Sequence, residues 1–136
     1  MRPASIVQFE RLYLAAMALG ILVTILTWDA AVTALHANPQ LTAVGPAVLA
    51  CIIVAIQAAV LALWYFAARR RSVVAKWIIS IWFVYSTVTM ALALFRFGVR
   101  LDLVTVLSWA SYLLRAWSVS YLFRPDAEAW FANKQQ

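Results

Sequence analysis

PAVLACIIVAIQAAVLALWYFAA, residues 46–68, carries no charged side chain, and Gln57 is its one strongly polar residue. The hydrocarbon core of a bilayer takes roughly 20 apolar residues of helix to cross, and this run meets that length. Gly45-Pro46 opens it, with proline at the first helical position, where a missing N–H costs nothing. Arg69-Arg70-Arg71-Ser72 closes it as a tight basic turn.

Three more apolar runs of similar length lie around it, at 12–35, 73–95 and 103–123, and they leave room only for short connections. Of the 136 residues, 66% are apolar, 14% aromatic and only 12% charged. The mean hydropathy of +0.88 lies outside soluble globular usage. Lipid offers no partner to unsatisfied backbone groups, so the spans must be helices. The predicted helices cover 6–35, 46–68, 73–97 and 103–123, with an interfacial tail at 125–136, all in one transmembrane domain, 1–136. Short connections at 69–72 and 98–102 make successive helices antiparallel neighbours. The predicted fold is an all-α, up-down four-transmembrane-helix bundle.

Local signals mark the helix ends. Ser5 with Gln8 has capping-box spacing and predicts a start near Ile6. Asn38-Pro39 stops the first helix, Ser72 caps the third and Asp102 the fourth, and Gly98 suits a left-handed stop. Asp126 and Glu128 fall at the positive end of the tail helix, and Trp130 and Phe131 are expected to anchor it in the membrane. A secretory leader is the other reading of the first run. That run is longer than an h-region, and Trp28-Asp29 interrupts it before Val32-Thr33-Ala34.

The net charge of +6 does not indicate nucleic acid. The basic residues flank apolar runs and do not form one basic face, so they read as topology determinants and lipid-headgroup contacts, chiefly Arg69, Arg70, Arg71 and Lys76. Arg2, Arg11, those four, Arg124 and Lys134 fall on one side, and Arg96 and Arg100 on the other. Both termini are therefore expected in the cytoplasm.

Certain segments resemble a widespread group of small four-helix bacterial inner-membrane proteins with no assigned activity. They are the opening Arg2-Pro3-Ala4-Ser5-Ile6, the basic turn into Ala75-Lys76-Trp77-Ile78, and Leu122-Phe123-Arg124-Pro125…Ala129-Trp130-Phe131. The resemblance implies a bacterial cytoplasmic membrane and the same bundle, and it brings no catalytic residue. The plan is also similar to that of four-helix small multidrug exporters, which use a membrane-embedded glutamate. Here Glu10, at the helix edge beside Arg11, is the only counterpart.

Arg115 is the anomalous residue. It lies roughly 4 Å from the middle of its run at 1.5 Å per residue, where an unpaired charge is costly. Ser108, Ser111 and Ser118 share its helix face, a stripe expected to face other helices or a water-filled cleft. Glu10 and Asp29 differ from it in depth by roughly 16 and 12 Å on the same rise, which leaves Gln57 as the expected partner. An anion, headgroup or proton-path site is the functional reading of Arg115, and a snorkelling or intersubunit arginine is the plain one. Asp29 and Arg96, opposite in charge and similar in depth, are predicted to pair.

Small-xxx-small faces at Ala16/Gly20/Thr24 and at Ala47/Cys51/Ala55/Ala59 support close helix packing, within the chain or with another. The lone Cys51 and lone His36 offer no metal framework. No serine has a usable base for nucleophilic chemistry, and there is no glycine-rich phosphate loop. No catalytic residue, cofactor or metal is predicted. The reading is a non-enzymatic membrane protein acting through helix contacts, as an accessory subunit or a homo-oligomer. The alternatives are a small transporter or channel with Arg115 lining its path, or a lipid-binding module.

Overall fold

The computed structural model describes residues 3–38, 45–97 and 102–132. Among them are six helices and no strand: α1 (Ala4–Leu26), α2 (Trp28–Ala37), α3 (Pro46–Ala68), α4 (Val73–Phe97), α5 (Leu103–Tyr121) and α6 (Pro125–Ala132). Three of the helices are long and apolar enough to cross a membrane: α1, α3 and the Val73–Leu92 part of α4. α5, predicted as a fourth span, is outside that group; its 19 residues include Arg115, Ser108, Ser111 and Ser118. Side chains that are hydroxylated or charged lower its apolar character while serving the packing described below.

The first apolar run is not one straight helix. α1 and α2 meet at Thr27, whose φ of −102° and ψ of 7° depart from helical values. Its hydroxyl donates to the Val23 carbonyl at 2.8 Å, and the Thr24 hydroxyl donates to that of Gly20 at 2.9 Å. A threonine bonding back to the preceding turn favours a bend in a helix, and two such bonds precede the break at Thr27. The backbone ladder continues through it, with the Ala31 N–H bonding to the Thr27 carbonyl at 2.9 Å.

α1 packs most extensively against α5, and α3 against α4, with smaller contacts between α1 and α3, α4 and α5, and α1 and α6. The small face of α1 explains its choice of partner. Ala16 is fully buried, and its carbonyl accepts the Ser111 hydroxyl of α5 at 2.8 Å. The apolar core lies toward one end. Ile6, Phe9 and Tyr13 of α1 meet Ala67 and Ala68 of α3, Ala75 and Ile79 of α4, Leu122, and Ala127 and Phe131 of α6. Large apolar side chains stay uncovered along the outer faces of the helices, Ile25, Val54 and Phe95 away from the core and Val74 and Trp77 beside it, with Phe95 90% exposed. Apolar surface on that scale suits lipid or another protein and not water.

Two expectations about the ends are corrected. Ser5 does not cap α1, which begins at Ala4 with Pro3 before it and no side-chain cap of its own. The buried Ser5 N–H instead donates to Asp126 Oδ2 at 3.2 Å, so a residue of α6 caps α1 from across the chain. Phe131 does not point into lipid either. It is 4% exposed in the core, and Trp130 lies beneath the Arg71 guanidinium, 3.9 Å from the ring centroid. α6 turns these aromatics inward because Ile6 and Phe9 offer it an apolar seat.

Other signals hold as read. The Ser72 hydroxyl accepts the Ala75 N–H at 3.3 Å, and the Asp102 carboxylate accepts the Thr105 N–H at 2.7 Å. In the basic turn Arg71 is left-handed, with φ 54°, and the Ser72 N–H reaches back to the Phe66 carbonyl at 3.0 Å. The predicted stop at Gly98 lies outside the described residues.

Candidate functional site

The polar face of α5 builds a cleft of about 210 Å³ with α1 and α4, lined by Arg115, Ser108, Ser111, Tyr112, Gly20, Val23 and Ser86. Arg115 is half-buried in it. The hydroxyl protons around it are already committed: Ser108 donates to the Val104 carbonyl at 2.8 Å, Ser111 to Ala16 at 2.8 Å and Ser86 to Trp82 at 2.9 Å. The Tyr112 and Thr87 hydroxyls bond to each other at 2.9 Å, and the Tyr112 ring stacks on Phe83 with centroids 5.5 Å apart. Among the described residues, no hydrogen bond or ion pair engages the Arg115 guanidinium, and no carboxylate is among the residues that line the cleft. The guanidinium is the free donor of the site.

Two members of the predicted constellation lie elsewhere. Gln57 lines a different, larger and almost wholly apolar cleft of about 660 Å³, together with Met17, Ile21, Trp28 and Leu61. α1 stands between it and Arg115, because Ile21 and Thr24 face one cleft and Gly20 and Val23 the other. Ser118 is fully buried, its hydroxyl has no partner, and it is not among the residues that line the cleft. Gly20, Val23, Ser86 and Tyr112 are the contributors missed in the sequence, and Gly20 is the most telling of them. A Cβ at Gly20 would sit 3.7 Å from Ser111 Oγ and 3.9 Å from Arg115 Nη2, so the glycine makes room beside the charge. Its place in the α1 small-residue repeat was the available signal.

The predicted pair of Asp29 and Arg96 cannot be placed, because the Arg96 side chain lies outside the described residues; Asp29 is exposed in the first turn of α2. The four basic residues assigned to lipid headgroups divide. Arg70 is exposed. Arg69 pairs with Glu10 at 2.9 Å, a bridge that long sequence separation hid. Arg71 covers Trp130. Lys76 is only 8% exposed, with its ammonium 4.4 Å from the Phe123 ring centroid and 5.5 Å from that of Phe131. Its aliphatic stem is drawn inward, where the rings contact the charge.

The two small-residue faces also part ways. That of α1 is occupied by α5, as Ala16 and Gly20 show. On α3, Ala47, Cys51, Ala55 and Ala59 are all exposed, and none of the described helices covers them. No protein-family model, curated protein or solved structure matches this chain.

Proposed function

We propose that the chain is a non-enzymatic integral membrane protein that acts through helix contacts. It serves as a subunit of a membrane complex, of which a homo-oligomer is the simplest form. The observation that carries this reading is the uncovered small-residue face of α3. Small side chains let two helix backbones approach closely, and close packing is a main source of helix association in lipid. The equivalent face of α1 is used that way inside the chain.

In this reading α5 crosses the membrane as a fourth span. Its polar face turns toward α1, which shields it from lipid and completes an up-down four-helix bundle. Both termini lie in the cytoplasm of a bacterial cell whose inner membrane houses the protein, in keeping with the basic residues at 69–71 and 124 and with the resemblance to small four-helix proteins. Lipids are its solvent, with Arg70 facing headgroups. A small transporter or channel is the second reading, favoured by the cleft that Arg115 lines.

Cys51 lies on the uncovered face and supplies the test. Oxidation in native membranes is expected to yield a disulfide-linked dimer, absent in Cys51→Ser and reduced in Ala55→Leu. If the partner is another protein, it should co-purify in mild detergent and be lost with Ala55→Leu. Neither a dimer nor a partner sensitive to that substitution would overturn the reading.

A further inference from the structure

We propose that the Arg115 cleft binds the carboxylate of a long-chain monocarboxylate, with the ligand's tail leaving toward the apolar surroundings. This goes beyond the helix-contact reading and rests on a different face of the molecule. The chemistry of the cleft selects the ligand in three steps.

Donor supply comes first. The hydroxyls of Ser86, Ser108 and Ser111 spend their protons on backbone carbonyls, and the Tyr112 and Thr87 hydroxyls bond to each other. What remains is a planar fork of guanidinium N–H groups, which matches an oxyanion in a bidentate geometry. The charge balance comes next. One arginine with no carboxylate among the lining residues leaves a single positive charge to be neutralised. A monoanion does so without excess, whereas a phosphate monoester would bring about −1.5 to −2 charge to a site with one cation.

Size decides the rest. At about 210 Å³ the cleft holds a carboxyl group and a few methylenes, roughly seven waters' worth of liquid volume. A lipid-length chain must therefore extend out of it. Gly20 keeps the space beside the guanidinium open, since a larger side chain there would grow from a Cβ already 3.9 Å from Nη2. Val23 supplies apolar wall. A carboxylate attached to a hydrocarbon tail fits a charged fork set among apolar helices, and it offsets the cost of an otherwise unpaired charge.

The test uses the full chain in phosphatidylcholine nanodiscs, titrated with oleate labelled with carbon-13 at the carboxyl and followed by NMR. A saturable one-to-one signal is expected, whose carboxyl titrates at lower pH than oleate in empty nanodiscs, as pairing with a fixed cation requires. Arg115→Gln should weaken binding at least tenfold and abolish the titration shift. Arg115→Lys should retain the shift with weaker binding, because it keeps the charge and loses the fork. Gly20→Leu retains the guanidinium but fills the space beside it, and should also weaken binding at least tenfold in protein that still melts cooperatively. Dodecyl phosphate, read by phosphorus NMR, is the competing arm. Tighter binding of that phosphate, no saturable oleate signal, or oleate binding unchanged in both Arg115→Gln and Gly20→Leu would overturn the proposal. None of these results would bear on crosslinking through Cys51.

Discussion

Asp126 is a single exposed carboxylate that holds two helices together. It lies in the first turn of α6 and accepts the Ser5 N–H of α1, so the positive ends of two helices converge on it. The Ser5 hydroxyl beside it, outside hydrogen-bond geometry, and then the N–H groups of Ser5, Asp126 and Ala127 hold its carboxyl below the ordinary carboxylate value. A depressed carboxyl means that the folded chain binds fewer protons than the unfolded one in the acid range. Its contribution is complete above the unfolded pKa, about 3.9, and is lost as pH falls through the lower folded value. Hydrogen-exchange protection factors of residues 125–132, which correct for the intrinsic fall of the exchange rate with acid, should therefore drop on acidification below that range. In Asp126→Ala the lower protection should already be present at neutral pH. Arg71 carries the opposite kind of load. Its left-handed φ of 54° costs a non-glycine residue roughly 1–2 kcal/mol, while its contact with Trp130 returns about 0.5–1 kcal/mol. Arg71→Ala keeps the strain and loses the contact, whereas Arg71→Gly loses both. The glycine variant should be the more stable of the two by about 1 kcal/mol, measured by thermal unfolding in detergent.

At the scale of elements, the pairing of α1 with α5 rests on close approach and one interhelical hydrogen bond. Gly20→Ala should be tolerated, since its Cβ would make ordinary contacts at 3.7 and 3.9 Å and alanine favours a helix by about 0.8–1 kcal/mol over glycine. Gly20→Leu should cost roughly 1–3 kcal/mol through overpacking. Ser111→Ala removes the bond to Ala16, and such contacts in membranes contribute about 0.6 kcal/mol on average. Calorimetry of the three variants should therefore rank alanine at 20 first, alanine at 111 next and leucine at 20 last. Another ranking would mean that α1 and α5 are held by something other than this seam. The kink at Thr27 can be tested alone: Thr27→Ala, with Thr24 left in place, should reduce the bend between α1 and α2, read as a longer distance between spin labels at residues 15 and 34.

At the scale of the molecule, the buried apolar core is gathered at the end where α6 docks, and the outward faces of the helices are uncovered along their length. If the proposed bundle stands as described, reporter fusions at both termini should give cytoplasmic signals and an insertion at 40–43 an external one. A periplasmic signal from the C-terminus alone would mean that α5 does not cross, leaving the three helices among the described residues whose length and composition suffice.

Local chemistry made much of this chain readable in advance. Hydrophobic run length located α3 and α4, because the span of a helix depends on its own residues. Ser72 and Asp102 were readable as caps because their partners lie three residues away. Ser108, Ser111 and Arg115 were placed on one face by helical period alone. What only the tertiary structure decided involves partners far apart along the chain: Asp126 capping α1, Glu10 pairing with Arg69, Lys76 turned toward Phe123 and Phe131, and Gln57 separated from Arg115 by the body of α1. Helical period gives each side chain a direction relative to its own axis, but not the rotation of that axis against its neighbours. That rotation is set by which faces pack, and here the fit of Ala16 and Gly20 against Ser111 and Arg115 determined it.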